Sequence, residues 1–157
     1  MLILDTNVLS EIRKSTCHPS VEAWMEAQAM DQLYITSITV LEIQRGISHL
    51  AQRGDESQAA VLARWLDAMV LPAFNSRILP VDHAIARRAA KLTQADSRDY
   101  RDALMAATGL VHGAALVTRN IKHFEDSGVL PINPWALPAE NSRVPRTRPN
   151  NHAKPGH

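Results

Sequence analysis

Cysteine is nearly missing from this chain: Cys17 is the one thiol among 157 residues. A lone thiol closes no intrachain disulfide and builds no CxxC or Cys/His zinc cluster, so a reducing compartment fits and a zinc module is excluded. An excess of positive charge is also missing. The formal net charge is +1, and the basic surplus sits in the last twenty residues, where Arg143, Arg146, Arg148 and Lys154 face Glu140 alone. The remainder is slightly acidic, which argues against broad phosphate-driven binding through a Lys/Arg surface. No apolar run approaches membrane-spanning length. The opening Leu2-Ile3-Leu4 reaches Asp5 at once, without the basic start and apolar stretch of a secretory leader. A cytoplasmic protein with no membrane contact is expected.

What is there is ordinary globular material, 45% apolar and 21% charged, enough for one hydrophobic core. One domain is expected over residues 1–137. From Pro138 onward, four of the nine prolines mix with Asn, Arg and His and no apolar periodicity remains, so residues 138–157 are expected to be a disordered basic tail. No internal repeat is found.

Apolar runs at 2–4, 33–35, 78–79, 114–117 and 130–132 predict four or five short strands. Between them lie helical patterns. One follows Asp5, and one spans 20–30 with Ser20 as cap. A hairpin has a first helix from a Ser37 cap to about Arg53 and a second from Glu56 to about Met69, broken by Gly54-Asp55 and ended by Pro72. Asp82 caps a helix from Ala84 to about Thr93. Another runs from about Arg101 to His112 and stops at Gly113, and a short one lies near Lys122 to Asp126. Alternating strands and helices predict a three-layer α/β/α sandwich around a mostly parallel sheet, with the helical hairpin added.

In such sheets ligands gather beyond the carboxyl ends of strands. The first strand ends in Asp5-Thr6-Asn7 and the fourth in Thr118-Arg119-Asn120, so both can line one cleft. Asp5 could equally be a plain helix cap. Glu42 stands among Ile38, Val40, Leu41 and Ile43, a pattern predicting a helix buried nearly all round, where a carboxylate needs a basic partner such as Arg45 or Arg13, or a metal. Asp102 opens the helix Ala103 to Leu110; it suits the helix dipole there, or a metal. Asp96 and Asp99 read as solvated. Three acids at the rims of apolar elements repel one another unless a cation is shared. Oxygen ligands with retained water suit Mg²⁺ or Mn²⁺, which can lower the pKa of a bound water and clamp a phosphodiester, so that hydrolysis needs no protein nucleophile.

Taken together, Leu-Asp-Thr-Asn-Val-Leu-Ser-Glu (residues 4–11), Ile38-Thr39-Val40-Leu41-Glu42-Ile43 with Gly46, Asp102-Ala103-Leu104-Met105-Ala106-Ala107-Thr108, Val117-Thr118-Arg119-Asn120 and Asn133-Pro134-Trp135 resemble the PIN-domain toxins of the VapC and FitB kind. The resemblance spans residues 2–135. It implies a Mg²⁺- or Mn²⁺-dependent endoribonuclease, the toxin of a VapBC-type toxin-antitoxin pair. Asp5, Glu42 and Asp102 would be its acidic metal site, Asn120 a further catalytic position, and Thr6, Thr118 and Arg119 supporting or substrate-binding groups. It also implies an RNA substrate, a VapB-like antitoxin through which alone DNA is contacted, and a homodimer. The sequence departs from the family at a fourth acid: Asn120 and His123 stand where relatives commonly carry Asp. Glu125 or Asp126 could restore the charge by reaching inward, and Arg119, Lys122 and His123 could meet a phosphate, although Lys122 and His123 also read as a solvated turn. A binding module that has lost cleavage is the alternative this substitution raises. A phosphatase is the weaker alternative, because the Asp5 turn lacks the second Asp of a DxD motif.

Overall fold

The computed structural model describes residues 1–92 and 99–137. The basic tail, Asp96 and the expected helix end at Thr93 lie outside the described residues. Among those residues the strands β1 (Leu2–Leu4), β2 (Leu33–Thr36), β3 (Ile78–Leu79), β4 (Ala115–Val117) and β5 (Pro131–Ile132) form one sheet in the order β3-β2-β1-β4-β5. All four pairings are parallel, Leu4 lying opposite Val117 and Ile3 opposite both Tyr34 and Leu116. The chain builds outward from β1 to β3, then returns to place β4 on the other side of β1. That reversal leaves a crevice between β1 and β4 at their carboxyl ends.

The two-residue period of each strand sorts its side chains between two cores. Leu4, Leu33, Ile35 and Val117 face one core, with Val8, Leu9, Trp24, Ile43, Leu66 and Phe74. Ile3 and Leu116 face the other, with Met105, Ala106 and Phe124. The first core is covered by α1 (Thr6–Arg13), α2 (Pro19–Glu26), α3 (Ser37–Gln52), α4 (Glu56–Trp65) and the short α5 (Leu71–Ala73); the second is covered by α6 (His83–Leu92) and α7 (Tyr100–His112). This is the expected three-layer architecture with its helical hairpin.

Two glycines shape the second layer. Gly113 ends α7 in the left-handed region at φ 63°, a conformation that side chains with a Cβ avoid. At Gly109 an added Cβ would stand 2.6 Å from Val129 Cγ2, so only glycine lets α7 settle this close to the segment leading into β5.

Several local expectations need correction. Thr36, not Ser37, caps α3: its Oγ1 accepts from the backbone N–H groups of Ile38 (3.1 Å) and Thr39 (3.3 Å), while Ser37 Oγ bonds to the β3 end, donating to Leu79 O and accepting from Val81 N. His18 rather than Ser20 caps α2, because Pro19 takes the first helical position, where its missing N–H costs nothing. Pro72 does not end the hairpin's second helix. The chain passes through a widened turn at Leu66–Val70, and Pro72 then lies within α5. The expected strand start at Leu130 is exposed and lies one residue before β5, which begins at Pro131, although Leu130 O accepts from Leu116 N of β4 at 2.8 Å; the short helix expected near Lys122 to Asp126 is a single 3₁₀ turn, Ile121–His123. Finally, α3 is not buried all round. Leu41 is 45% exposed, and the helix buries Ile38, Thr39 and Ile43.

Candidate active site

Asp5 leaves the end of β1 with its backbone N–H fixed to Val117 O of β4 at 2.9 Å, so its position is set by the crevice itself. Its carboxylate is held on three sides: Oδ1 accepts from the Thr6 backbone N–H at 2.7 Å, and Oδ2 accepts from Thr118 Oγ1 at 2.7 Å and Asn7 Nδ2 at 3.3 Å. The helix-cap role and the site role are therefore the same geometry. Thr118 also accepts from the Asn120 backbone N–H at 3.1 Å, which ties the loop after β4 to the acid.

These groups open into a cavity of about 510 Å³, whose wall includes Asp5, Thr6, Glu42, Asp102, Arg119 and Asn120. Thr118 is absent from that wall because it stands behind Asp5, fully buried, and Lys122 is absent from it as well. Glu42 arrives on the second turn of α3 and Asp102 on the first turn of α7, from opposite faces of the sheet.

The electrostatics show crowding. Burial pushes the Asp5 carboxyl above the usual carboxylate range and nearby Asp102 pushes it further, while the bonds from Thr118 and Thr6 pull it back. Glu42 is raised by burial and by Asp5, with Arg101 opposing. The cation that Glu42 senses is thus Arg101, not the expected Arg45 or Arg13; Arg13 instead lies over the Trp65 ring at 5.4 Å. Asp102 is raised by burial and relieved by His123, whose Nδ1 lies 3.0 Å from Asp102 Oδ2.

His123 lies in an exposed turn as read, and that contact adds a second feature: it lines the cavity and pairs with one of the acids. Asp99 is likewise exposed as read, yet it caps α7, pairs with Arg101 at 2.6 Å, and stands on the cavity wall. Glu125 and Asp126 do not restore a fourth acid, for both are exposed and neither lines the cavity.

Other wall residues carried no assigned role in the sequence. Glu11 is buried at 8% exposure, accepting from Lys14 Nζ at 2.7 Å and from the His18 backbone N–H at 3.0 Å, and these bonds hold its carboxyl below the usual range. Its signal was available, since Asn7, Ser10, Glu11 and Lys14 form a polar stripe at helical spacing. Trp135 lies under the Arg119 guanidinium at 5.1 Å, making a flat cationic wall.

Among the described residues no three His, Cys, Asp or Glu side chains stand close enough to enclose an ion unaided. The donor set nevertheless suits a hard divalent cation. Mg²⁺ keeps several waters and takes only one or two carboxylates directly, and the buried Asn7 Oδ1, on the cavity wall beside Asp5, has no hydrogen-bond partner. An unpartnered oxygen beside mutually repelling carboxylates is what a hydrated cation would satisfy.

The PIN domain family model matches residues 2–128. This chain is a PIN domain. Within the family this PIN domain is of the VapC and FitB toxin type. It is 36% identical over 140 residues to a VapC ribonuclease of Sinorhizobium fredii, covering 86% of this chain and 98% of the relative. It is 31% identical over 140 residues to the toxin FitB of Neisseria gonorrhoeae, covering 86% and 99%. Its fold superposes on the crystal structure of FitAcB from Neisseria gonorrhoeae with a TM-score of 0.77 at 32% identity, over 87% of this chain and all of that one. The PIN-domain chain contains no described helix long and apolar enough to cross a membrane.

Proposed function

We propose that this chain is the ribonuclease toxin of a type II toxin-antitoxin pair and that it hydrolyses RNA phosphodiester bonds with a Mg²⁺ or Mn²⁺ ion held by Asp5, Glu42 and Asp102. The observation carrying this reading is the convergence of those three carboxylates, each raised by burial and by a neighbouring acid, on one cavity. A bound divalent cation supplies Lewis-acid charge and a water acidic enough to serve as nucleophile near neutral pH.

The chain's own residues do the rest. Thr118 and the Thr6 N–H keep the Asp5 carboxylate aimed and partly offset the pull of burial toward its protonated form. The Asn120 amide sits at the rim, able to donate to a phosphate oxygen or accept from a water. Arg119, stacked on Trp135, and Lys14 present positive charge to a phosphodiester from the cavity wall. This local charge replaces the basic surface that the composition lacks. The same reading gives the chain a VapB-like antitoxin partner, DNA contact only through that partner, a homodimeric state and a cytoplasmic place of action.

The test is cleavage of structured RNAs by purified protein with Mn²⁺, beside an Asp5→Asn control. Cutting by the native chain alone supports the reading. Cutting by both proteins, or by neither, overturns it. Arg119→Ala should raise KM about tenfold with a smaller change in kcat, as loss of one phosphate contact implies.

A further inference from the structure

We infer that the cavity takes a single divalent ion per chain, and that His123 sets this limit by occupying the Asp102 oxygen that a second ion would need. The inference rests on the metal-dependent reading above and concerns how that site is loaded.

Nucleases that use two ions hold them roughly 3.5–4 Å apart, which calls for a carboxylate able to bridge and for unpaired negative charge around a second dication. Both are short here. Asp5 already accepts on both oxygens, from the Thr6 backbone on one and from Thr118 and Asn7 on the other. Asp102 could bridge, but its Oδ2 is taken by His123 Nδ1 at 3.0 Å. A neutral imidazole with its proton on Nδ1 can also donate this bond, so the occupation does not require a charged ring. The next polar group along the rim, Asn120, is neutral, the wall's further acids are already paired, Glu11 with Lys14 at 2.7 Å and Asp99 with Arg101 at 2.6 Å, and Arg119 adds positive charge. A second cation would displace an N–H donor from Asp102 and gain no new anion.

The side chain of His123 is 55% exposed, while the neighbouring Phe124 is the residue that fills the core, so position 123 tolerates substitution. Metal-free samples of the intact chain would be titrated with Mn²⁺, the stoichiometry read by calorimetry and the spacing of bound ions by electron paramagnetic resonance. The native chain should take one ion per protomer and give the spectrum of an isolated Mn²⁺. His123→Asp should take two, with a spin-coupled spectrum. His123→Gln, which keeps an N–H donor for Asp102, should remain at one. Two ions in the native chain, or one in His123→Asp, would overturn the inference while leaving the metal-dependent reading standing. No uptake in any of the three would sink both.

Discussion

Helix α1 divides two hollows of similar size and opposite character. On one side Asp5, Thr6, Asn7, Ser10, Glu11 and Lys14 face the acid-lined cavity of about 510 Å³. On the other, Leu9, Ile12 and Arg13 face an apolar groove of about 460 Å³ shared with Met25, Met30, Trp65, Met69 and Phe74. The first side is polar where folding alone would prefer it apolar, and its carboxylates cost stability through burial and repulsion. The second side strengthens the core it joins. A single amphipathic helix thus carries the functional cost on one face and its compensation on the other.

The sharpest way to break this contrast is to substitute one residue from each face. Asp102→Asn should lower RNA cleavage at least a thousandfold, as loss of a charge that orients the reacting groups implies, with the circular dichroism spectrum unchanged. Leu9→Ala, removing a side chain only 5% exposed, should instead cost about 3 kcal/mol in a urea titration while cleavage per folded molecule persists. If Asp102→Asn unfolds the chain, or Leu9→Ala abolishes chemistry in the folded fraction, the division fails.

Acidity offers a subtler probe. Asp5, Glu42 and Asp102 have folded pKa values above their ordinary ones. The folded metal-free chain therefore keeps protons that the unfolded chain has already released. Stability from these groups is full below the ordinary carboxylate range and is lost as pH rises through the raised values. Metal-free protein should melt at a higher temperature at about pH 5 than at about pH 8, and Asp102→Asn should flatten that difference. The smallest effect belongs to the rim of the apolar groove. Met69→Ser, at a position 64% exposed, should shift folding stability by less than about 0.5 kcal/mol.

How far the sequence revealed this arrangement depends on whether a signal was local. The strand-ending acid Asp5, the αL stop at Gly113 and the turn at Gly54-Asp55 are written in adjacent residues, and the structure places them as read. Convergence of Glu42 and Asp102 on Asp5 followed from parallel topology. His123 could not be found this way, because its partner lies on α7 and nothing next to it in the chain encodes that meeting. The same holds for Arg101, which looks like a helix-start residue and becomes the cation opposite Glu42. The exposure of Leu41 escapes the sequence because four apolar residues among the six at 38–43 do not say which of them faces the sheet.

The hydrogen bond from Thr118 to Asp5 joins residues 113 positions apart. During synthesis the opening strand leaves the ribosome long before its neighbour β4 exists, and Asp102 emerges late as well. The cavity is therefore the last part of the domain that a growing chain can complete, since its two central walls are made at opposite ends of the translation of the sheet.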